Sequence, residues 1–224
     1  MDLSPINIRD GRLRVRTREP NSADDCRNFW LAVKKLEVSV IVMVKNCSYF
    51  YFPNQVDEEI TYRASDGSPI SIRLVSCEVD FASGFPFCHV VERTFLVDGK
   101  KVHHIQIDWP DMKGIDPLKL LTMTKKMYAL EAQNPGATLV HCLAGLGRTG
   151  TFFGALVIEQ LLQHIPISIA LRFNPALLVV GLRQQCSGSI QAEEQVLTLH
   201  DYFVLRVKQK LAELAVEKST LISS

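Results

Sequence analysis

The run Val140-His141-Cys142-Leu143-Ala144-Gly145-Leu146-Gly147-Arg148-Thr149-Gly150 restricts the possible folds of this chain more than any other stretch. Thr138-Leu139-Val140 is a short β-branched and apolar run that reads as the end of a strand, and the residues from Thr149 to Gln163 read as a buried helix. A glycine-bearing loop therefore joins a strand end to a helix start. Such a loop turns backbone N–H groups inward, and the first helical turn adds its own unpaired donors and the positive end of its dipole. That concavity suits a phosphate or another oxyanion, and Gly145, Gly147 and Gly150 let the backbone curve tightly around it without a Cβ in the way.

Two side chains give the loop chemistry. The field that attracts an anion also stabilises a thiolate at Cys142, and the thiolate is the nucleophilic form. The planar fork of Arg148 can hold two phosphate oxygens and follow them into a trigonal-bipyramidal transition state. A cysteine taken alone is most often an ordinary buried thiol, but the whole string has to be explained together. As His-Cys-x-x-Gly-x-x-Arg-Thr-Gly it resembles the signature of the protein tyrosine phosphatases, with Ala144 and Gly145 as in the tyrosine-specific branch.

That resemblance implies an α/β fold, a central mixed, twisted sheet flanked by helices; with no repeat or low-complexity linker, residues 1–224 read as one catalytic domain, with a disordered tail at 219–224. It implies a metal-independent, cofactor-free hydrolase that removes phosphate from phosphotyrosine in proteins through a phosphocysteine intermediate. Cys142 would be the nucleophile. Leu143, Ala144, Gly145, Leu146, Gly147 and Arg148 would surround the phosphoryl group. Thr149 is expected to hydrogen-bond the cysteine sulfur and ease its departure, and His141 to be a buried support that tunes Cys142 without transferring a proton.

Length and composition agree with this class. The 224 residues suit one α/β domain with ample chain for a core. The net charge of +1 and the lack of a basic block do not promote nucleic-acid binding. No run approaches the ~18 apolar residues of a membrane helix, and the first residues carry no basic region followed by an apolar core, so no membrane insertion is expected. The six cysteines, Cys26, Cys47, Cys77, Cys88, Cys142 and Cys186, are irregularly spaced without a C-x-x-C pair, which weakens both zinc and a disulfide framework. A cytoplasmic setting with reduced thiols follows, the cytosol of a host cell being the equivalent for a secreted bacterial effector.

Taken in order, residues 1–20 carry Arg9, Arg12, Arg14, Arg16 and Arg18 around Leu13 and Val15 and read as a solvated edge strand. Ser22 caps a helix whose stripe is Phe29, Trp30, Val33 and Leu36, and Val38-Ser39-Val40-Ile41-Val42-Met43-Val44 reads as a strand buried on both faces. Antiparallel sheet follows, from Glu59 to Tyr62, Ile70 to Asp80, Cys88 to Val97 and Lys101 to Asp108. The last pair is joined at Asp98-Gly99, a strong two-residue hairpin signal. Asp116-Pro117 starts a helix that runs to about Gln133, Asn174-Pro175 starts another, and a final helix runs to about Glu217.

Two further segments resemble the same family. Trp109-Pro110-Asp111 lies after a strand and some thirty residues before Cys142, where the family carries its movable Trp-Pro-Asp loop. A phenolate leaving group, with a pKa of about 10, needs a proton as the P–O bond breaks, which contributes roughly 10² to 10⁴ in rate. Asp111 would donate it and then, ionised, accept a proton from the water that attacks the phosphocysteine. The run from Leu182 to Gln195 resembles the family's Gln-loop, which makes Gln191 the residue that positions this water and Gln195 its secondary partner.

The resemblance spans about Ile6 to Phe203 and departs from the family pattern in places. The family's Lys-Asn-Arg-Tyr loop, which stacks on the substrate ring and sets pocket depth, precedes the segment aligned with Ile6-Asn7-Ile8 and is not in this sequence. Val44 passes to Cys47 through Lys45-Asn46 alone, where the family has a longer hairpin whose glutamate pairs with the signature arginine, so Arg148 is left without its usual partner. Phe52 stands for the usual Trp, and Cys186 for the second Gln-loop arginine. A dual-specificity or lipid phosphatase and a phosphotyrosine-binding pseudophosphatase are the alternatives these departures leave open.

Overall fold

A computed structural model describes residues 3–223 apart from 7, 9, 46–50 and 82–88. The described elements run β1 (Ser4–Ile6), β2 (Arg14–Arg18), α1 (Ala23–Lys35), β3 (Val38–Val44), β4 (Glu59–Arg63), β5 (Pro69–Phe81), β6 (His89–Val97) and β7 (Lys100–Ile107). They continue with α2 (Pro117–Gln133), β8 (Ala137–Cys142), α3 (Gly147–His164), α4 (Ile167–Ala170), α5 (Pro175–Gln185) and α6 (Glu193–Ser223). Most boundaries lie where local chemistry sets them. Ser22 Oγ accepts from the Asp25 N–H at 3.1 Å and Asp116 Oδ1 from Leu118 N–H at 2.7 Å, each closing a helix N-terminus. Asp98 and Gly99 both take positive φ, 47° and 81°, the geometry a two-residue hairpin needs. The segment from Cys47 to Phe50 and the loop between β5 and β6 lie outside the described residues.

The eight described strands form one sheet in the order β1-β2-β8-β3-β7-β6-β5-β4. Its centre is parallel, with β8 between β2 and β3 and β7 beyond β3, whereas β1 and the β4–β6 side are antiparallel. All of β3 is buried, as its unbroken apolar run requires of a strand covered on both faces. Its side chains alternate between two cores. Val40, Val42 and Val44 meet Val140, Phe152, Phe153 and Leu199, while Ile41 and Met43 meet Phe29, Trp30 and Leu139.

One expectation is overturned. The arginine-rich N-terminal segment is no solvated edge strand: β2 is the second strand of the sheet, paired with β1 on one side and parallel to β8 on the other. It can lie there because its charges are partnered. Arg14, 1% exposed, donates from Nε and Nη2 to the two oxygens of buried Glu131 at 2.9 and 2.7 Å, and from Nη1 to Asp10 at 2.6 Å. Thr138 of β8 donates to the same Glu131 at 2.6 Å. The tail from Ser219 continues α6 through Ser223. The residues before it, Leu211-Ala212-Glu213-Leu214-Ala215-Val216-Glu217-Lys218, contain neither Gly nor Pro and are mostly good helix formers. The short α4 lacks a sequence signal.

The Arg14–Glu131 pair ties β2 to α2 inside the protein. Glu131→Ala is therefore expected to destabilise the fold by about 3 kcal/mol, since it strands a buried guanidinium. Urea unfolding would show this as a lower midpoint at constant slope, and an unchanged midpoint would mean that Asp10 alone suffices.

Candidate active site

Cys142 is the last residue of β8 and is 2% exposed. The chain then turns through Leu143–Leu146 and enters α3 at Gly147, so the helix's unpaired N–H groups face the end of the strand. The loop is braced from below by the neighbouring strand. Gly145 has φ +72°, and a Cβ on it would lie 2.3 Å from the Thr17 carbonyl oxygen. Arg16 Nη1 donates to the Gly145 carbonyl at 3.1 Å, and the Glu19 N–H to the Leu143 carbonyl at 3.0 Å. Leu143 and Ala144 are exposed, and Leu146 packs against the core.

Arg148 is 4% exposed and has two partners on the segment that follows β7. Nη1 donates to the Trp109 carbonyl at 2.8 Å, and Nη2 lies 2.7 Å from Asp111 Oδ1. The arginine left without its usual glutamate is thus held by the Trp109-Pro110-Asp111 segment. Trp109 is fully buried and its Nε1 donates to the Lys113 carbonyl at 2.8 Å, whereas Pro110 and Asp111 are exposed.

On the other side of the loop lies the turn before α6. Arg183 donates to the carbonyls of Ser189 and Ile190 at 3.0 and 2.7 Å and so fixes the approach to Gln191. Gln195 is fully buried, its Oε1 accepting from the Gln191 and Ala192 N–H groups at 2.9 and 3.2 Å. A Cβ on Gly147 would come within 2.9 Å of Gln191 Oε1 and 3.0 Å of Gln195 Nε2, so both glutamines touch the start of α3. Cys142, Arg148, Asp111, Gln191 and Gln195 are therefore brought into one neighbourhood.

Three buried atoms there lack a hydrogen-bond partner among the described residues: Arg148 Nε, Thr149 Oγ1 and Gln195 Nε2. Each can donate, and a buried unmet donor costs about 1–3 kcal/mol. The expected bond from Thr149 to the cysteine sulfur is absent in this state, which leaves its hydroxyl available. An oxyanion in the loop is the kind of acceptor these groups need.

Behind the loop is a polar network that sequence reasoning did not assign. His141 Nε2 lies 2.7 Å from Tyr51 Oη, which is also 3.3 Å from His104 Nε2, and His141 Nδ1 is 3.4 Å from the Cys142 carbonyl. A carbonyl only accepts, so Nδ1 carries the proton and Nε2 accepts from Tyr51. Full burial pushes the His141 pKa down to about 3. Burial likewise holds His104 well below the ordinary histidine range, with the nearby Arg93 adding to the effect. Tyr51 is anchored in turn by Trp30, whose Nε1 donates to the Tyr51 carbonyl at 2.7 Å. Glu19 and Lys45, both nearly buried, pair at 2.5 Å at the ends of β2 and β3. A Tyr-Phe-Pro run after an apolar strand was the available signal for Tyr51; a Glu and a Lys 26 residues apart in sequence carried none.

No group of three or more His, Cys, Asp or Glu among the described residues could hold a metal ion. Cys26, Cys77, Cys142 and Cys186 are free, and no helix among the described residues is long and apolar enough to cross a membrane.

Two outcomes follow from this geometry. Below pH 6.5 the unfolded chain protonates His141, whereas the folded chain resists until about pH 3, so its contribution to stability is full above 6.5 and is lost as pH falls toward 3. His141→Gln, which can still bond Tyr51, should flatten the pH dependence of unfolding in that window, and an unchanged slope would remove His141 from it. Gly145→Ala should cost about 2 kcal/mol or more, because it adds a strained φ to a backbone clash. It should also weaken tungstate binding measured by calorimetry, and wild-type affinity would show that β2 does not brace the loop.

Residues 10–205 match the sequence pattern of the family described as protein-tyrosine phosphatase. The chain is 30% identical over 187 residues to receptor-type tyrosine-protein phosphatase C of Homo sapiens, covering 79% of this chain and 14% of that protein. It is 35% identical over 196 residues to the putative receptor-type tyrosine-protein phosphatase mosPTP-1 of Aedes aegypti, covering 80% of this chain and 14% of that one. The chain thus spans about one-seventh of the length of these relatives. A solved structure described as PTPN18 in complex with HER2 phosphopeptides superposes with a TM-score of 0.75 at 25% identity, over 92% of this chain and 71% of that one.

Proposed function

This chain belongs to the protein-tyrosine phosphatase family, and from that premise we propose that it hydrolyses phosphotyrosine in proteins through a phosphocysteine intermediate. The observation that carries the proposal is the meeting of Asp111 and Arg148, at 2.7 Å, on the helix that begins just after the Cys142 loop. Nucleophile, phosphoryl-binding cation and proton donor are then within reach of one bound phosphate.

In the proposed reaction the Cys142 thiolate attacks phosphorus and the P–O bond to the tyrosine breaks, while Asp111 gives its proton to the departing phenolate. Water then attacks the phosphocysteine, with Gln191 orienting it and the Asp111 carboxylate taking its proton, and Cys142 leaves as thiolate. The Thr149 hydroxyl is free to stabilise that leaving sulfur. Arg148 and the amides of Leu143 to Gly147 neutralise the phosphoryl oxygens in both steps. An Asp111 ion-paired to Arg148 is a carboxylate and cannot act as an acid. A phosphoryl dianion offered to the arginine competes with that pair and releases Asp111 to carry a proton.

The substrate class rests on the family and on phosphopeptide complexes of a structural relative. A role in reversing tyrosine phosphorylation in signalling, within the cytoplasm, agrees with a thiol nucleophile and free cysteines, which require reducing surroundings.

The test is a single-turnover assay of phosphate release from a phosphotyrosyl peptide and from its phosphoseryl counterpart. Release from the first and not the second is expected; equal rates would overturn tyrosine specificity, and binding without release would overturn the enzyme. In the same assay Cys142→Ser should abolish turnover. Asp111→Ala should slow a poor aryl leaving group by roughly 10² or more while sparing an activated one, and a uniform loss would take Asp111 out of the acid role.

A further inference from the structure

The acid-bearing segment is fastened at its far end as well as at Trp109. Met112 takes φ 57° and turns the chain toward α6, where three contacts meet. Glu194 receives both of the first two: Lys113 Nζ lies 2.8 Å from its Oε1, and the Gly114 N–H donates to its Oε2 at 3.1 Å. The Ile115 N–H donates to Thr198 Oγ1 at 3.0 Å, and that hydroxyl donates to the Glu194 carbonyl at 2.9 Å. The approach is close enough that a Cβ on Gly114 would stand 2.7 Å from Thr198 Oγ1 and 2.9 Å from the Glu194 carbonyl oxygen.

We propose that Glu194 is a positioning residue for the proton donor: its carboxylate clasps the segment at Lys113 and Gly114 and holds Asp111 over the cysteine loop. The inference rests on the phosphatase reading above. Its physical basis is the pairing of a weak contact with a directional one. The Lys113 and Glu194 side chains are 61% and 50% exposed, so their ion pair alone contributes little. The bond from a backbone N–H to a carboxylate is charge-assisted and acts on the main chain of the segment itself. Such a clasp biases the segment toward the cysteine loop and still lets go.

Its placement adds a second consequence. Glu194 directly precedes Gln195, whose Oε1 fixes the Gln191 backbone and whose Nε2 abuts Gly147. One helical turn therefore addresses both the proton donor and the residue expected to position water. A segment docked on that turn brings Asp111 and Gln191 to the cysteine loop in a fixed relation.

The experiment compares the wild-type chain with Glu194→Ala, Glu194→Gln and the neighbouring exposed control Glu193→Ala. Amide hydrogen exchange across residues 109–115 should quicken at Gly114 and Ile115 in Glu194→Ala and stay as in wild type in Glu193→Ala. With phenyl phosphate, Glu194→Ala should lose about tenfold in kcat with KM within about twofold, and should lose far less with an activated aryl phosphate. Glu194→Gln, whose amide oxygen can still accept from Gly114, should recover part of that loss. Unchanged exchange in Glu194→Ala would overturn the proposal, as would an equal loss on both substrates. If the wild-type chain released no phosphate, the phosphatase reading would fail, and the exchange measurement would still decide whether Glu194 holds the segment.

Discussion

Strand β8 is hydrogen-bonded along both edges to parallel neighbours, and the remaining features of the site depend on that position. Register pairs Arg18 with Cys142 and Met43 with His141, and Val44 of β3 with Ile107 of β7. The carboxyl ends of β2, β8, β3 and β7 therefore lie side by side, each at or next to a residue described above. Glu19 follows β2, Lys45 follows β3, Trp109 comes two residues after β7, and Cys142 ends β8. In parallel sheets ligands bind outside these ends. Residues separated by more than a hundred positions meet because the chain returns to the same edge of the sheet four times.

Two buried arginines are treated differently. Arg14 is almost fully buried, and its three donor nitrogens each meet a carboxylate oxygen. Arg148 is almost as deeply buried, yet among the described residues its Nε has no partner, and Thr149 Oγ1 and Gln195 Nε2 share that condition. The first arrangement stabilises a fold. The second leaves donors beside the cysteine loop and a helix N-terminus, an arrangement that suits an anion.

Sequence reasoning reached different depths in different places, for physical reasons. Ser22, Asp116 and Asp98-Gly99 were legible because capping and turn formation are decided within a few residues. The continuous apolar run of β3 announced burial on both faces, and the Cys142 to Gly150 string carried its chemistry in its spacing. The N-terminal arginines misled because charge in a strand suggests solvent, whereas Asp10 and Glu131, the latter 117 residues away from Arg14, neutralise it inside. The same distance problem hid Tyr51 behind His141 and the pairing of Glu19 with Lys45. The partner of Arg148 was sought in a hairpin glutamate, although Asp111, already singled out for another role, supplies it in this state.

That double use of Asp111 gives the site its logic. A buried guanidinium next to a thiol loop needs a counter-charge when no anion is bound, and the exposed Asp111 carboxylate supplies one. Trp109 anchors one end of the segment in the core and the contacts of Lys113, Gly114 and Ile115 with α6 anchor the other, with Pro110 to Met112 between them. On the proposed reading, a phosphoryl group entering the loop takes over Arg148 by offering more charge and two oxygens to the same planar fork. On that reading the displaced carboxylate stays tethered at both ends of its segment, placed to give a proton to the leaving oxygen. On the proposed reading, binding the phosphate and freeing the acid are one exchange of partners at a single arginine.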